Sequence, residues 1–195
     1  MKQLLSGVVV ALALAVVRVS ATVSFGGHEY EVVTDPVTDP GIDWLSANAA
    51  ANSMSYNGMP GHLVTITSAE ENAFVLTLIN DLEYWAGGFQ NPITETDPMA
   101  GWTWVNGEGT FPGQDGQPIY SQWSDTGEPN DSFGPGSEQY LGVGFWGHWN
   151  DESYLSNVSG YVVEFQSVAD STPGIQAAIL AVPLGLQAFR TFRRR

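Results

Sequence analysis

Two strings, Glu128-Pro129-Asn130 and Trp149-Asn150-Asp151, with Glu138 between them, gather the side chains of this sequence best suited to chemistry. They bring three carboxylates and two amides, all oxygen donors, with no thiol and no imidazole. Hard divalent cations take such sets: calcium binds about six to eight oxygens from carboxylates, amide carbonyls and backbone carbonyls. Five side chains of this kind can wrap one side of an ion and leave positions open on the other for a ligand. That chemistry is binding rather than turnover, because a carboxylate committed to a cation does not readily exchange protons. Glu128-Pro129-Asn130-Asp131 is by itself an ordinary turn sequence, so the weight lies on the three elements together.

Other catalytic patterns are missing. The chain has no cysteine, hence no thiolate nucleophile, and it carries no Gly-x-Ser-x-Gly, P-loop or His-Glu-x-x-His. His28, His62 and His148 are too scattered for zinc-ligand spacing. Glu128 with Asp151 can imitate a glycosidase acid pair, which keeps a carbohydrate-active enzyme as a minor alternative. Asp125 and Asp131 are candidates for an accessory cation site. Asn130-Asp131-Ser132 and Asn157-Val158-Ser159 fit the N-glycosylation pattern.

The elements that must position this set belong to one domain, which is what 195 residues support. Glu29-Tyr30-Glu31-Val32-Val33 alternates like a half-buried strand. A helix is predicted from Asp43 to Ser55, with Trp44, Ala47 and Ala51 on one face. Gly61 to Ile66 is a short β-branched run. Ser68 followed by Glu71 is a capping-box pattern, and Phe74, Val75, Leu78 and Ile79 give the next helix its apolar face. Beyond Tyr84 the texture changes to Gly, Pro, Trp and Asn with short strands at 102–105, 139–145 and 161–165. Helices first and strands with long loops after them argue for an α+β fold, and the stretch from about 106 to 138 is long enough to suggest a functional loop.

Charge is segregated. All six basic residues lie at the ends, and the 21 acidic residues fall between them, for a net charge of −15. Nucleic acid is excluded as a partner, because phosphate neutralisation needs Lys and Arg. Such a surface repels itself unless salt or divalent cations screen it. Residues 1–21 read as a secretory signal peptide: Lys2, an apolar run from Leu4 to Val17, and a small-residue cleavage pattern ending at Ala21. With no disulfides to lean on, the 7 Trp, 7 Tyr and 9 Phe must supply the packing. Residues 168–195 form a linker and an apolar segment closed by Arg193-Arg194-Arg195. That tail resembles bacterial C-terminal sorting signals of the PEP-CTERM type, without the Pro-Glu-Pro signature, and implies membrane or envelope association.

The order of strings from 22 to 167 resembles the C-type lectin-like domain. In register are Gly61-His62-Leu63-Val64-Thr65-Ile66, Ser68 to Phe74, Trp85-Ala86-Gly87-Gly88, Trp102-Thr103-Trp104, Trp123 before Gly127-Glu128-Pro129-Asn130, Glu138, Trp149-Asn150-Asp151 and Gly160-Tyr161-Val162-Val163-Glu164. The resemblance implies two helices with antiparallel strands and a long calcium-binding loop. It implies that Glu128, Asn130, Glu138, Asn150 and Asp151 hold Ca2+ and touch the ligand, and that the peptide before Pro129 is cis. Glu-Pro-Asn implies mannose- or glucose-type sugars, with no enzymatic activity. Trp146 and His148 stand beside the set, the first as an aromatic able to stack on a sugar face. The family's usual cysteine positions hold Tyr140, Tyr154 and Val163, which predicts a core repacked with hydrophobic side chains. The resulting expectation is a secreted or cell-surface, calcium-dependent carbohydrate-binding protein; a calcium-stabilised adhesion module with a surface protein as partner is the alternative.

Overall fold

The computed structural model describes residues 21–35, 41–80, 82–91, 93–108 and 120–166. The predicted leader, apart from Ala21, and the predicted sorting tail lie outside them.

The first helix, α1 (Trp44–Ser53), starts at Asp43, whose carboxylate accepts from the Ser46 amide at 2.9 Å and the Ser46 hydroxyl at 2.6 Å. Such a cap satisfies a helical N–H that has no partner within the helix. Trp44, Ala47 and Ala51 are the buried face. The helix stops short of the predicted Ser55 because Ser55 pairs with Pro60 in a small hairpin, β3 (Ser55–Tyr56) against β4 (Met59–Leu63). The second helix, α2 (Ala69–Ile79), is capped by the Ser68 hydroxyl accepting from the Glu71 amide at 3.1 Å. The reciprocal half of the capping box is diverted. The Glu71 carboxylate accepts from the Thr67 amide at 2.8 Å and the Tyr30 hydroxyl at 2.7 Å instead. α2 ends at Asn80, which takes the left-handed conformation (φ 50°) that an asparagine tolerates well.

The remaining strands are β1 (Val23–Phe25), β2 (His28–Thr34), β5 (Tyr84–Gln90), β6 (Trp102–Trp104), β7 (Tyr140–Phe145), β8 (His148–Glu152) and β9 (Gly160–Phe165). They run in the order β1-β2-β9-β5-β7-β8, with β4 also on β9 and β6 on β5. Pairing is antiparallel except between β5 and β9, which meet in parallel at Trp85 and Tyr161; the sheet is therefore mixed rather than wholly antiparallel. Every residue of β9 is buried, since this central strand feeds two cores. Val162 joins Tyr30, Val75, Ile79 and Trp149 on one side, while Tyr161 and Val163 join Trp44, Ala47 and Trp85 on the other.

The cysteine-position expectation holds in two places of three. Tyr140 is buried with its ring 4.7 Å from that of Trp44, and Val163 is fully buried. Tyr154 is 47 % exposed: it lies in the loop after β8, where its carbonyl serves the Trp44 amide and its ring faces solvent. No core is repacked there.

What positions the site is Trp149. It is completely buried, meets the rings of Trp104, Tyr120 and Trp123 edge-on, and donates its indole N–H to Asn72 Oδ1 at 2.8 Å. Its backbone takes the Gln122 carbonyl at 2.7 Å and offers its own carbonyl to the Ser124 amide at 3.2 Å. The chain from 122 to 124 is thereby laid alongside β8, and the residues on either side of this clamp, 125–138 and 150–152, must meet.

Candidate functional site

The peptide between Glu128 and Pro129 is cis, as the resemblance implied. Beyond it the loop is tied to β8 through one carboxylate. Asp151, 1 % exposed, accepts from the Asn130 amide at 2.9 Å and from the Asp131 amide at 2.8 Å. Asp131 (φ 50°) is itself buried and closes the next turn, accepting from the Gly136 amide at 2.8 Å and the Glu138 amide at 2.9 Å. Glu138, 3 % exposed, accepts from the Ser132 amide at 2.6 Å and the Ser132 hydroxyl at 3.0 Å. A chain of carboxylates, each receiving backbone N–H groups, thus takes the place of regular secondary structure in this loop.

Of the five side chains singled out in the sequence, Glu128, Glu138 and Asp151 interact electrostatically across this loop. Asn150 comes from β8, opposite Gly142 of β7, and donates Nδ2–H to Glu152 Oε1 at 2.6 Å. Asn130 delivers its backbone N–H to Asp151 and leaves its side chain exposed. Glu128 differs from the rest. Its Oε2 is buried and has no hydrogen-bond partner. Burial first, then a side-chain hydrogen bond shared with Asp151 and the charge of that carboxylate, pushes the Glu128 carboxyl up to about 7. Burial likewise raises Glu138 and Asp151.

Two acidic residues that the sequence reading missed crowd the same end of β8. Glu83 and Glu152 face each other across Gly142, where an added Cβ would run into Glu83 Oε1 and press on Glu152. A larger residue there would have to displace the end of the Glu83 side chain. Glu83 is pushed up to about 8 by burial first and by the Glu152 charge second. Their signals differ: Glu152 follows Asp151 directly in the sequence, whereas Glu83 reaches the site only because β5 lies beside β7. Asp131 is in the sequence string, yet its work is to close the turn; Asp125 is exposed and shows no bond that would mark an accessory site.

Whether these residues fit a cation can be judged from Glu128. A buried carboxylate oxygen without a donor is costly, and here it sits against a second carboxylate in a stretch of chain that contains no Lys or Arg between Val19 and Phe189. A divalent cation would supply the missing positive charge, and the oxygen-only donor set suits calcium.

A second acidic cluster lies elsewhere. His28, Glu71 and Glu164 bring their ligand atoms within 4.8 Å of one another, a spacing a metal ion can use. In this cluster, however, each carboxylate oxygen already has a donor. Glu164 faces His28 Nδ1 at 2.5 Å and accepts from the Thr65 amide at 3.0 Å; Glu71 is served by Tyr30 and Thr67.

The lectin C-type domain model matches residues 47–162. Halomucin of Haloquadratum walsbyi is 33 % identical over 149 residues, spanning 73 % of this chain and 1 % of that protein. The mouse low affinity immunoglobulin epsilon Fc receptor is 32 % identical over 122 residues, spanning 62 % of this chain and 30 % of the receptor. The chain therefore spans only a small part of the length of either relative. Among solved structures, the cow C-type carbohydrate-recognition domain of CD23 superposes with a TM-score of 0.56 at 24 % identity, covering 75 % of this chain and 94 % of that one. The C-type lectin CEL-I from Cucumaria echinata gives 0.56 at 20 % identity, covering 74 % and 94 %. Two helices on a mixed sheet, a long loop clamped to β8 and the matched span lead to one conclusion: the chain belongs to the lectin C-type domain family.

Proposed function

We propose that this protein binds carbohydrate through calcium held by Glu128, Asn130, Glu138, Asn150 and Asp151, with a preference for mannose- or glucose-type sugars. The observation that carries the reading is the buried, partnerless Oε2 of Glu128 against the Asp151 carboxylate. Bound there, calcium offers coordination positions to the lone pairs of two vicinal hydroxyls. The side chains do the rest. Glu128 and Glu138 accept hydroxyl protons, and the amides of Asn130 and Asn150 donate to hydroxyl oxygens. Support for a mannose-containing ligand comes from the Glu-Pro-Asn string and from the CD23 domain, whose structure was determined in the presence of a GlcNAc2Man3 oligosaccharide. The reading places the protein outside the cell or on its surface, with 1–21 as leader, 22–167 as the binding domain and 168–195 as the sorting or anchoring tail, and it assigns no catalytic step.

A protein-binding adhesion role is favoured by one feature, the exposed Phe133 at the loop tip, 82 % accessible. Calorimetric titration decides between the two. Calcium should bind the wild type, methyl mannoside should give heat only after calcium, and Asp151→Asn should lose both. Calcium binding without any sugar response would overturn the carbohydrate reading and leave the adhesion module.

A further inference from the structure

We infer that the cleft between residues 124–126 and the tip of the β7–β8 hairpin is a second subsite, built for a neutral hexose linked to the sugar on the calcium loop. The inference rests on the carbohydrate reading above. The cleft measures about 350 Å³ and is lined by Ser124, Asp125, Thr126, Phe145, Trp146 and His148.

Trp146 is the first argument. It is 85 % exposed, holds a positive φ of 54°, and its ring meets that of Phe145 at 6.1 Å. A tryptophan normally buries most of its ring, and a bulky residue rarely takes this backbone conformation. Here both costs are borne at the turn, and the result is an exposed indole lining the cleft rather than packed in a core. Pyranose rings have a C–H face that stacks on such a surface and a hydroxyl rim that needs polar partners.

The opposite wall supplies the rim. The Ser124 and Thr126 hydroxyls share a hydrogen bond of 2.8 Å, which holds both side chains in place. The Gln122 amide approaches His148 Nδ1 at 3.3 Å; as donor to that nitrogen, it leaves the neutral imidazole proton on Nε2. Asp125 adds an exposed acceptor. The acidic surroundings select against uronates and sulfated sugars and favour an uncharged ring.

Position is the third argument. Thr126 lies two residues before Glu128, and His148 lies two residues before Asn150 on the same face of β8, about 7 Å away at the rise of a strand. A sugar coordinated beside Asn150 therefore has the cleft lined by His148 and Trp146 within reach of a linked neighbour.

The test is calorimetry on the full, calcium-loaded chain with methyl mannoside and with the α1-2, α1-3 and α1-6 mannobioses. At least one disaccharide should bind about fivefold tighter than the monosaccharide, as expected when a tryptophan is covered. Trp146→Ala should erase that gain and leave calcium and methyl mannoside affinities as they were, and Trp146→Phe should restore part of it. A gain that survives Trp146→Ala, or no gain with any mannobiose, overturns the subsite while the primary site stands. Loss of methyl mannoside affinity in Trp146→Ala also overturns it, because the indole would then belong to the primary site. If calcium binds but no mannoside does, the carbohydrate reading falls and takes the subsite with it.

Discussion

Two buried acidic clusters in this molecule solve the same electrostatic problem differently. At the His28 cluster, Glu71 and Glu164 are 7 % and 1 % exposed, and all four carboxylate oxygens meet an imidazole, a phenol or a backbone amide. At the loop, Asp151 and Glu138 are also served by N–H groups, but Glu128 Oε2 is buried with nothing to accept from. Proximity of acidic side chains therefore does not by itself tell which cluster has an acceptor to spare. The His28 cluster has the tighter spacing and its carboxylates are satisfied from within; around the loop and the end of β8, Glu128 Oε2 and Glu83 Oε1 are buried acceptors left unmet. In physical terms, one cluster is a polar brace between β2, α2 and β9, and the other, on the function proposed above, is a receptor lacking one charge.

The largest effect that could break this comparison is calcium-linked stability. At free calcium roughly a hundredfold above its Kd, binding to the folded state alone adds about 2.7 kcal/mol. Urea denaturation with and without calcium should show that gain in the wild type and in His28→Gln. Asp151→Asn should lose it, because a buried charge removed from such a set weakens binding by about a hundredfold or more. If His28→Gln were the variant that abolished the gain, the two clusters would have to exchange roles.

Next in size is Tyr30→Phe. The phenol is the donor to Glu71 Oε1, and its loss leaves a buried acceptor unpaired at a cost of about 1–3 kcal/mol. Calcium affinity should not move. An equilibrium urea midpoint lowered at unchanged calcium Kd would confirm that the brace and the receptor are separate.

The meeting of the loop with β8 was legible because the residues concerned sit in short strings, Glu128-Pro129-Asn130 and Asn150-Asp151, whose backbone and carboxylates do come together. The Ser68 cap could be read in the same way, since a cap is a contact three residues long. The brace could not be. His28 and Glu164 stand 136 residues apart, and only the pairing of β2 with β9, His28 beginning one strand and Glu164 lying in the other, brings them together. Glu71 shows how a local rule yields to a distant partner: its carboxylate leaves the capping box half closed because Tyr30 and Thr67 take it. Tyr154 failed as a core residue for the converse reason. A position that a disulfide would have pinned has no packing of its own to hold a phenol ring inside.

A smaller effect concerns Asn150. A carboxylate only accepts, so the 2.6 Å bond from Asn150 Nδ2 to Glu152 Oε1 decides which end of the amide faces Glu152 and leaves Oδ1 turned away from it. Partners of this kind orient metal ligands, and losing one typically costs about tenfold or more in affinity. Glu152 is only half buried, so Glu152→Ala should weaken calcium binding by about three- to tenfold, with Glu152→Gln recovering much of it through the retained carbonyl. Equal calcium affinity in Glu152→Ala and the wild type would remove Glu152 from the site.

The smallest effect is a slope. His28 is held above its ordinary value, first by its hydrogen bond to Glu164 and further by the charges of Glu164, Glu108 and Glu71, against the opposing effect of burial; the Tyr30 phenol completes its surroundings. A group whose folded value is raised stabilises fully below its unfolded value, about 6.5 for histidine, and that contribution fades as pH rises through the folded value. Glu71, raised by burial, has the same sign but begins to lose its contribution at lower pH, from about the ordinary carboxylate value upward. His28→Gln deletes the histidine and its couplings to Glu164, Glu108 and Glu71, so the difference between the two proteins reports His28 together with those pairings. Loop groups that titrate in the same window, Glu83 and Glu128 among them, are common to both and cancel. Measured in chelator from pH 6 to 9, the urea midpoint of the wild type should fall relative to that of His28→Gln. Parallel curves would mean that the brace holds β2 to β9 by neutral hydrogen bonds alone, and the contrast with the charge-starved loop would then be one of donors only.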